Sequence, residues 1–261
     1  MDTQRAIIEV DGRSVAEPPL LGLVPYGHFT AMQVRGRSTR GLELHLRRLD
    51  AAGRELFDTG VDGGEVLDRI GHALGDVEDA SVRVYMLARE PGEGPSTVVT
   101  VRPPGGMPEA PLRLEAVAYQ RTVPHVKHVG DFGQTYYREL AHRRDRDDAL
   151  LTAPDGAIAE CGIANIAFVD ETGIVWPDAP ALAGITMQLV EPRLAGAGLP
   201  SRRASIHLAD LPDYRAAFVT NARGIASVAQ IDDVELNIDT ELMDAVTAVY
   251  DAVPWDPIVD P

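Results

Sequence analysis

Lysine is nearly absent from this chain: reading along the sequence finds a single one, Lys127, among 24 basic residues, which leaves 23 arginines. Cysteine is equally scarce. Cys161 stands alone, which excludes an intrachain disulfide and any multi-cysteine metal cluster and fits a reducing compartment. It reads as a small buried residue rather than a reactive thiol. Long apolar runs are missing too, and none approaches the roughly 18 residues of a membrane helix. The stretch Met1 to Gly12 lacks the basic-then-apolar layout of a signal peptide, so the expectation is a cytoplasmic protein with no membrane partner. Positive charge is also short. A formal net charge of −16 repels a phosphate backbone, and no nucleic-acid partner is expected without a local basic patch. The best candidate patch, Arg138 to Arg146, is interrupted by Glu139 and Asp145 and reads as a solvated helix face.

What is present is enough apolar residue to form a core. At 261 residues and 45% apolar composition, the chain can fold as one large domain or as two that share an interface. The solitary lysine has a chemical meaning of its own, because only its amine can form an imine with an aldehyde. An accidental surface lysine is the competing reading.

Pattern predicts the elements. Ala6 to Glu9 and His28 to Val34 read as strands, with a turn region at Arg35 to Ser38. Leu42, Leu46, Leu49, Ala52 and Leu56 recur at intervals of three and four, which predicts an amphipathic helix from Leu42 to Phe57. Val66, Leu67, Ile70 and Leu74 predict a second. Ser81 to Ala88, Ser96 to Arg102 and Leu112 to Gln120 read as strands. The densest breaker segment, Arg102 to Leu112, marks the region of a domain boundary, drawn at 1–115 and 116–261. Beyond it, Val123 to Lys127 reads as extended and is followed by a helix through about Arg146. Two hairpins follow, Ala149 to Thr152 with Ala157 to Ala159, and Asn165 to Val169 with Ile174 to Trp176. A helix from Gly184 to Gly196, strands near Arg202 to His207 and Ala216 to Thr220, and a helix from about Asp239 to Tyr250 complete the chain.

Several polar residues stand where chemistry is possible. Lys127 lies between an extended segment and a helix. Glu160 ends a strand, Asn165 follows it, and Gly184-Ile185-Thr186 opens a helix with free amides and a hydroxyl. Singly, Glu160 reads as a strand-end acid, Asn165 as a turn residue and Thr186 as a cap. Together they can supply what pyridoxal 5′-phosphate (PLP) needs: a lysine for the imine, an acid for the pyridine nitrogen, and donors for the phosphate.

In their order and spacing these residues resemble the class IV aminotransferases, the fold type IV PLP enzymes that include branched-chain and D-amino-acid aminotransferases and aminodeoxychorismate lyase. In that family a lysine is followed by Glu-Gly-x-x-x-Asn and then by Leu-Pro-Gly-Ile-Thr. Here stand Lys127, Glu160-Cys-Gly-Ile-Ala-Asn165 and Leu182-Ala-Gly-Ile-Thr186. His45-Leu-Arg-Arg48-Leu49 resembles the family's His-Leu-x-Arg-Leu helix. Gly27-His-Phe29-Thr-Ala-Met-Gln-Val34 resembles its first-domain strand, and Thr220-Asn221-Ala222 with Val228 to Asp232 resembles the loop completing the phosphate site.

The resemblance implies an α/β fold of two domains, a small N-terminal α/β domain and a larger C-terminal pseudo-barrel, assembled as a homodimer. It implies an aminotransferase moving an amino group between an amino acid and a 2-oxo acid through a Schiff base on Lys127, which would also shuttle the proton. Glu160 would pair with the pyridine nitrogen. Arg48, Ile185 and Thr186 would hold the phosphate, with the backbone of Asn221 and Ala222 as weaker contributors, and Asn165 would shape the site. Phe132, Gln33 and Ala222 depart from the family pattern, at the positions of a tyrosine, an arginine and a phosphate-binding hydroxyl, and put substrate recognition in question. Three other readings stay open: a lyase releasing pyruvate from aminodeoxychorismate, a non-catalytic binding protein on the same fold, and a metal-dependent hydrolase using His125, His128 and Asp131. The spacing of the last matches no zinc signature, and no metal is expected.

Overall fold

A computed structural model of the chain describes residues 7–10, 12–14, 26–88 and 94–258. Two units emerge from the contacts. The first holds the described residues up to Gly105, the five residues Val126–Gly130 and the tail from Pro254; the second holds Gly106–His125 and Asp131–Val253.

Strand alternation builds the first unit. In β3 (Gly27–Val34) His28, Thr30, Met32 and Val34 are buried while Phe29, Ala31 and Gln33 are half-buried, the period of two expected of a strand whose faces differ. Its neighbour β5 (Ala80–Leu87) matches it residue for residue: Met32 faces Val82 and Thr30 faces Val84 on the buried face, and Phe29 faces Tyr85 on the other. With β6 (Ser96–Arg102), β1 (Ile7–Val10) and β2 (Arg13–Ser14) these form a five-stranded sheet in the order β2-β1-β6-β5-β3. Two helices, α1 (Leu42–Phe57) and α2 (Gly63–Leu74), contribute Leu49, Val66, Ile70 and Leu74 to a core shared with Met32, Val34, Val82 and Val84. A short strand, β4 (Ser38–Arg40), separates β3 from α1. Asp62 caps α2 by accepting from Gly64 N and Glu65 N. Of the expected first strand, Ala6 lies outside the described residues.

The second unit is a nine-stranded sheet. Its path runs β12 (Ser201–Ala204), β11 (Gly173–Pro177), β10 (Asn165–Asp170), β13 (Ala216–Asn221), β14 (Gly224–Ile231), β7 (Leu112–Ala118), β8 (Asp148–Thr152) and β9 (Ile158–Cys161), with β15 (Val234–Glu235) against β14. β9 and β10 occupy the eighth and third places in that path, five apart, yet only residues 162–164 join them. So short a link reaches at most about 15 Å, whereas five strand spacings in a flat sheet cover about 24 Å. The sheet therefore curls until β9 returns beside β10. Curling explains why β10 is buried on both sides: Ile166 and Phe168 join an inner core with Leu114, Leu150 and Val228, and Ala167 and Val169 join an outer one. The outer core is covered by α4 (Ile185–Leu194) and α5 (Thr240–Asp251) through Val190 and Val246. A further helix, α3 (Phe132–His142), lies against β7 and β8. The tail returns to the first unit, where β16 (Trp255–Pro257) pairs with β4.

Several details differ from the sequence reading. The chain leaves the first unit at Gly105, before the boundary drawn at 115, because Gly105 N donates to Gln33 and its carbonyl accepts from Arg35, while β7 pairs with β14 and β8. Lys127, assigned by sequence to the second domain, groups with the first unit. The segment Val228 to Ile231, expected as a loop, is the end of β14, held on one side by β13 and on the other by β7. α3 stops at His142, short of Arg146, and Asp145 turns the chain in the left-handed region at φ 57°.

Gly173 sits at φ 135°, and a Cβ there would lie 2.3 Å from the Pro200 carbonyl oxygen. Gly173→Ala should therefore lower the urea midpoint by an amount equivalent to about 2–4 kcal/mol, whereas Gly196→Ala, whose Cβ would meet nothing within 4 Å, should change it little. Equal effects of the two substitutions would contradict this account.

Candidate active site

The first cluster is built on β3. Phe29 N donates to the Lys127 carbonyl at 2.9 Å and Val129 N to that of Gly27 at 2.9 Å, so residues 127–129 run antiparallel to β3 for one bridge, His28 with His128. Lys127 is thus placed by its backbone, and its Nζ lies 4.8 Å from the centre of the Phe29 ring, which stacks on Tyr85. From the buried face of β3, Thr30 Oγ1 meets His45 Nδ1 at 2.6 Å. His45 belongs to α1, three positions before Arg48, so the two share a helix face. Burial first, then the charges of Arg48 and Lys127, hold the His45 pKa down to about 3. His45 is accordingly neutral at physiological pH. The buried His28, on the same face of β3 as Thr30, is lowered to about 4 by burial alone.

The second cluster surrounds Glu160 in β9. This carboxylate is 5% exposed, and its Oε1 accepts from Arg121 Nη1 at 3.0 Å. Arg121, also buried, donates from Nη1 to the Pro124 carbonyl at 2.8 Å and from Nε to Gln134 Oε1 at 3.0 Å. The other carboxylate oxygen, Oε2, accepts from Leu182 N at 3.3 Å. Leu182 opens the segment leading into α4, and Asn165 clasps that segment from β10: its Nδ2 donates to Leu182 O at 2.7 Å and its Oδ1 accepts from Gly184 N at 3.1 Å. A Cβ on Gly184 would lie 2.0 Å from Asn165 Oδ1, so the clasp needs glycine there. Glu160, Asn165 and the start of α4 are thereby one hydrogen-bonded unit.

Ile185 and Thr186 form the first turn of α4, whose amides no carbonyl within the helix can satisfy. The Thr186 hydroxyl donates to Asn221 O at 2.6 Å, joining α4 to the end of β13. With that hydrogen committed, an anion at this helix end would meet amides rather than the hydroxyl. Asn221 Oδ1 accepts from Arg223 N, folding the tight turn that contains Ala222. Phe132, at the start of α3, is 80% exposed and touches Tyr136. Among the described residues no group of three or more His, Cys, Asp or Glu is placed to hold a metal ion.

Thus Lys127 and Arg48 share the first cluster, and Glu160, Asn165, Ile185, Thr186, Asn221 and Ala222 fall in the second. Sequence reasoning passed over Arg121, Gln134, Thr30 and the neutral His45. Arg121 stands six residues before Lys127 in an irregular stretch, with no periodicity to single it out from 22 other arginines.

Residues 27–231 match the sequence profile of the family described as amino-transferase class IV, well over half of the chain. The chain belongs to that family. No curated protein matches this class IV chain significantly. Among solved structures it is similar to a branched-chain aminotransferase from Thermoproteus uzoniensis with norvaline, at 20% identity and a TM-score of 0.84 over 97% of this chain and 99% of that one. A hypothetical aminotransferase from Mycobacterium tuberculosis in PLP-bound form matches at 18% identity and 0.81 over 95% and 98%. A putative 4-amino-4-deoxychorismate lyase from Legionella pneumophila matches at 17% and 0.79 over 90% and 93%. At these identities the likeness establishes the fold, and the class IV chain has that of the fold type IV enzymes, with their curled sheet. No described helix is long and apolar enough to cross a membrane.

Two predictions follow from the clusters. Asn165→Ala removes both bonds of the clasp and should cost about 1–3 kcal/mol in urea unfolding; an unchanged midpoint would mean that the segment is held otherwise. His28 and His45 both have folded pKa values below the ordinary 6.5, so the unfolded chain takes up protons first as pH falls. Their contribution to stability is complete above about pH 6.5 and is lost on acidification towards 4 and 3, at up to about 1.4 kcal/mol per pH unit for each. His28→Leu should flatten the dependence of unfolding free energy on pH between 6.5 and 4, and an unaltered slope would show that His28 does not contribute to it.

Proposed function

We propose that this class IV chain is a PLP-dependent aminotransferase that moves an amino group between an amino acid and a 2-oxo acid, with the cofactor anchored on Lys127. The observation that carries the reading is the position of the only lysine, pinned by backbone bonds to β3 in the unit that also holds Arg48. The residues fit the cofactor. Glu160 is a buried acid paired with Arg121 and bonded to Leu182 N, a group of the kind that suits a protonated ring nitrogen. The first-turn amides of Ile185 and Thr186 suit a phosphate, and the family resemblance assigns the Arg48 guanidinium to the same group. Asn221 and Ala222 contribute backbone near that helix end, and Asn165 shapes the segment before it.

Bound PLP supplies an electron sink for the bond broken at the substrate Cα. The chain supplies the rest. Lys127 Nζ would hold the cofactor's aldehyde and would serve as the base that moves the proton at the substrate Cα. Glu160 would keep the ring nitrogen protonated. Because His45 is neutral, it adds no third positive charge beside Arg48 and Lys127. The resemblance that suggests PLP also suggests a homodimer, which sedimentation would read directly. A second reading, a lyase that releases pyruvate from aminodeoxychorismate, draws on the similarity to the Legionella protein; the same lysine and cofactor would serve it.

With no other lysine side chain to compete, the test is direct. PLP added to the wild type should give a visible imine band that borohydride fixes onto the peptide containing Lys127, and Lys127→Ala should give none. No band, or equal bands, would overturn the reading. Product formation that requires a 2-oxo acid acceptor would then identify the aminotransferase, and pyruvate released without one the lyase.

A further inference from the structure

The Glu160 carboxylate is oriented by Arg121, and the orientation of Arg121 itself has a visible source. α3 is pressed against the end of β7 at Gly133, where a Cβ would lie 2.2 Å from the Tyr119 hydroxyl oxygen. That close approach brings the next residue, Gln134, to Arg121. Its half-buried side chain bridges two groups: Oε1 accepts from Arg121 Nε at 3.0 Å and Nε2 donates to the Gly162 carbonyl at 2.8 Å. Reversing the amide would set NH2 against Nε–H and oxygen against a carbonyl, so its orientation is dictated by its neighbours. Gly162 in turn follows Glu160 and Cys161 in the turn out of β9.

Gln134 therefore touches both supports of the acid, the guanidinium that pairs with it and the backbone that carries it. A guanidinium is planar and rigid, so fixing Nε also fixes where Nη1 points. With Nη1 held by Pro124 O and Glu160 Oε1, and Nε by Gln134, the plane has no freedom to swing away.

We propose that Gln134 is a positioning residue for the cofactor site, acting through Arg121 to hold the Glu160 carboxylate where the ring nitrogen of PLP meets it. The inference rests on the PLP-dependent function proposed above. It assigns a role to α3 that is independent of the substrate.

A double-mutant cycle on PLP affinity of the cofactor-free protein tests it. Gln134→Leu should weaken PLP binding about tenfold, the loss expected for a hydrogen bond to a charged group. Arg121→Met should weaken it more. The double variant should bind no worse than Arg121→Met alone, because Gln134 has nothing left to orient; Arg121→Gln replaces Arg121→Met if the latter does not fold. A role in helix packing alone would give additive losses, and additivity, or unaltered affinity in Gln134→Leu, would overturn the inference while leaving the function standing. Failure of the wild type to bind PLP would overturn both, and is distinguished by needing no variant to see it.

Discussion

The buried ion pair of Arg121 and Glu160 is the interaction on which the second unit's candidate site depends. Each partner is almost without solvent, and removing either would strand the other at a cost of about 3–5 kcal/mol. Such a pair does not persist by attraction alone. It persists because the remaining hydrogen-bonding capacity is used: Arg121 reaches Pro124 and Gln134, and Glu160 reaches Leu182 N. From Leu182 the same web passes to Asn165 and Gly184, and so to the start of α4. An acid suited to a ring nitrogen and a helix end suited to a phosphate are thus kept at a constant separation by one chain of hydrogen bonds.

In the first unit the corresponding constraint is the alternation of β3. One face buries Thr30, which holds His45, and the other presents Phe29, beside which Lys127 Nζ lies. A shift of register by one residue would exchange these faces and lose both contacts. The eight-residue pairing of β3 with β5 makes such a slip costly, so the backbone bonds of residues 127–129 to β3 give the lysine a well-defined position.

Much of the architecture was legible before any coordinates. The α1 helix begins and ends at Leu42 and Phe57, as its three-and-four spacing implies, and β6 spans Ser96–Arg102 as its run of valine and threonine implies. These are local signals in which propensity and burial agree. β14 was not legible, because its alternation of small residues, Ala226 and Val228 with Ser227 between, is weak and its partner β7 lies more than a hundred residues earlier. The placement of residues 126–130 in the first unit was equally hidden, since it rests on backbone bonds to β3 that carry no side-chain signature.

By itself, the sequence determined the class of helices and strands, the family through Lys127, Glu160, Asn165 and Gly184 to Thr186, and the scarcity of amines that makes Lys127 the one candidate anchor. Spacing along the chain is enough for these, because they depend on residue type and order. Only the tertiary structure decided that Arg121 is the partner of Glu160, that Gln134 orients it, that the Thr186 hydroxyl is committed to Asn221, and that His45 is neutral. Each of these depends on desolvation and on contacts between residues 13 to 39 positions apart, and neither distance nor burial is written in a linear order of side chains.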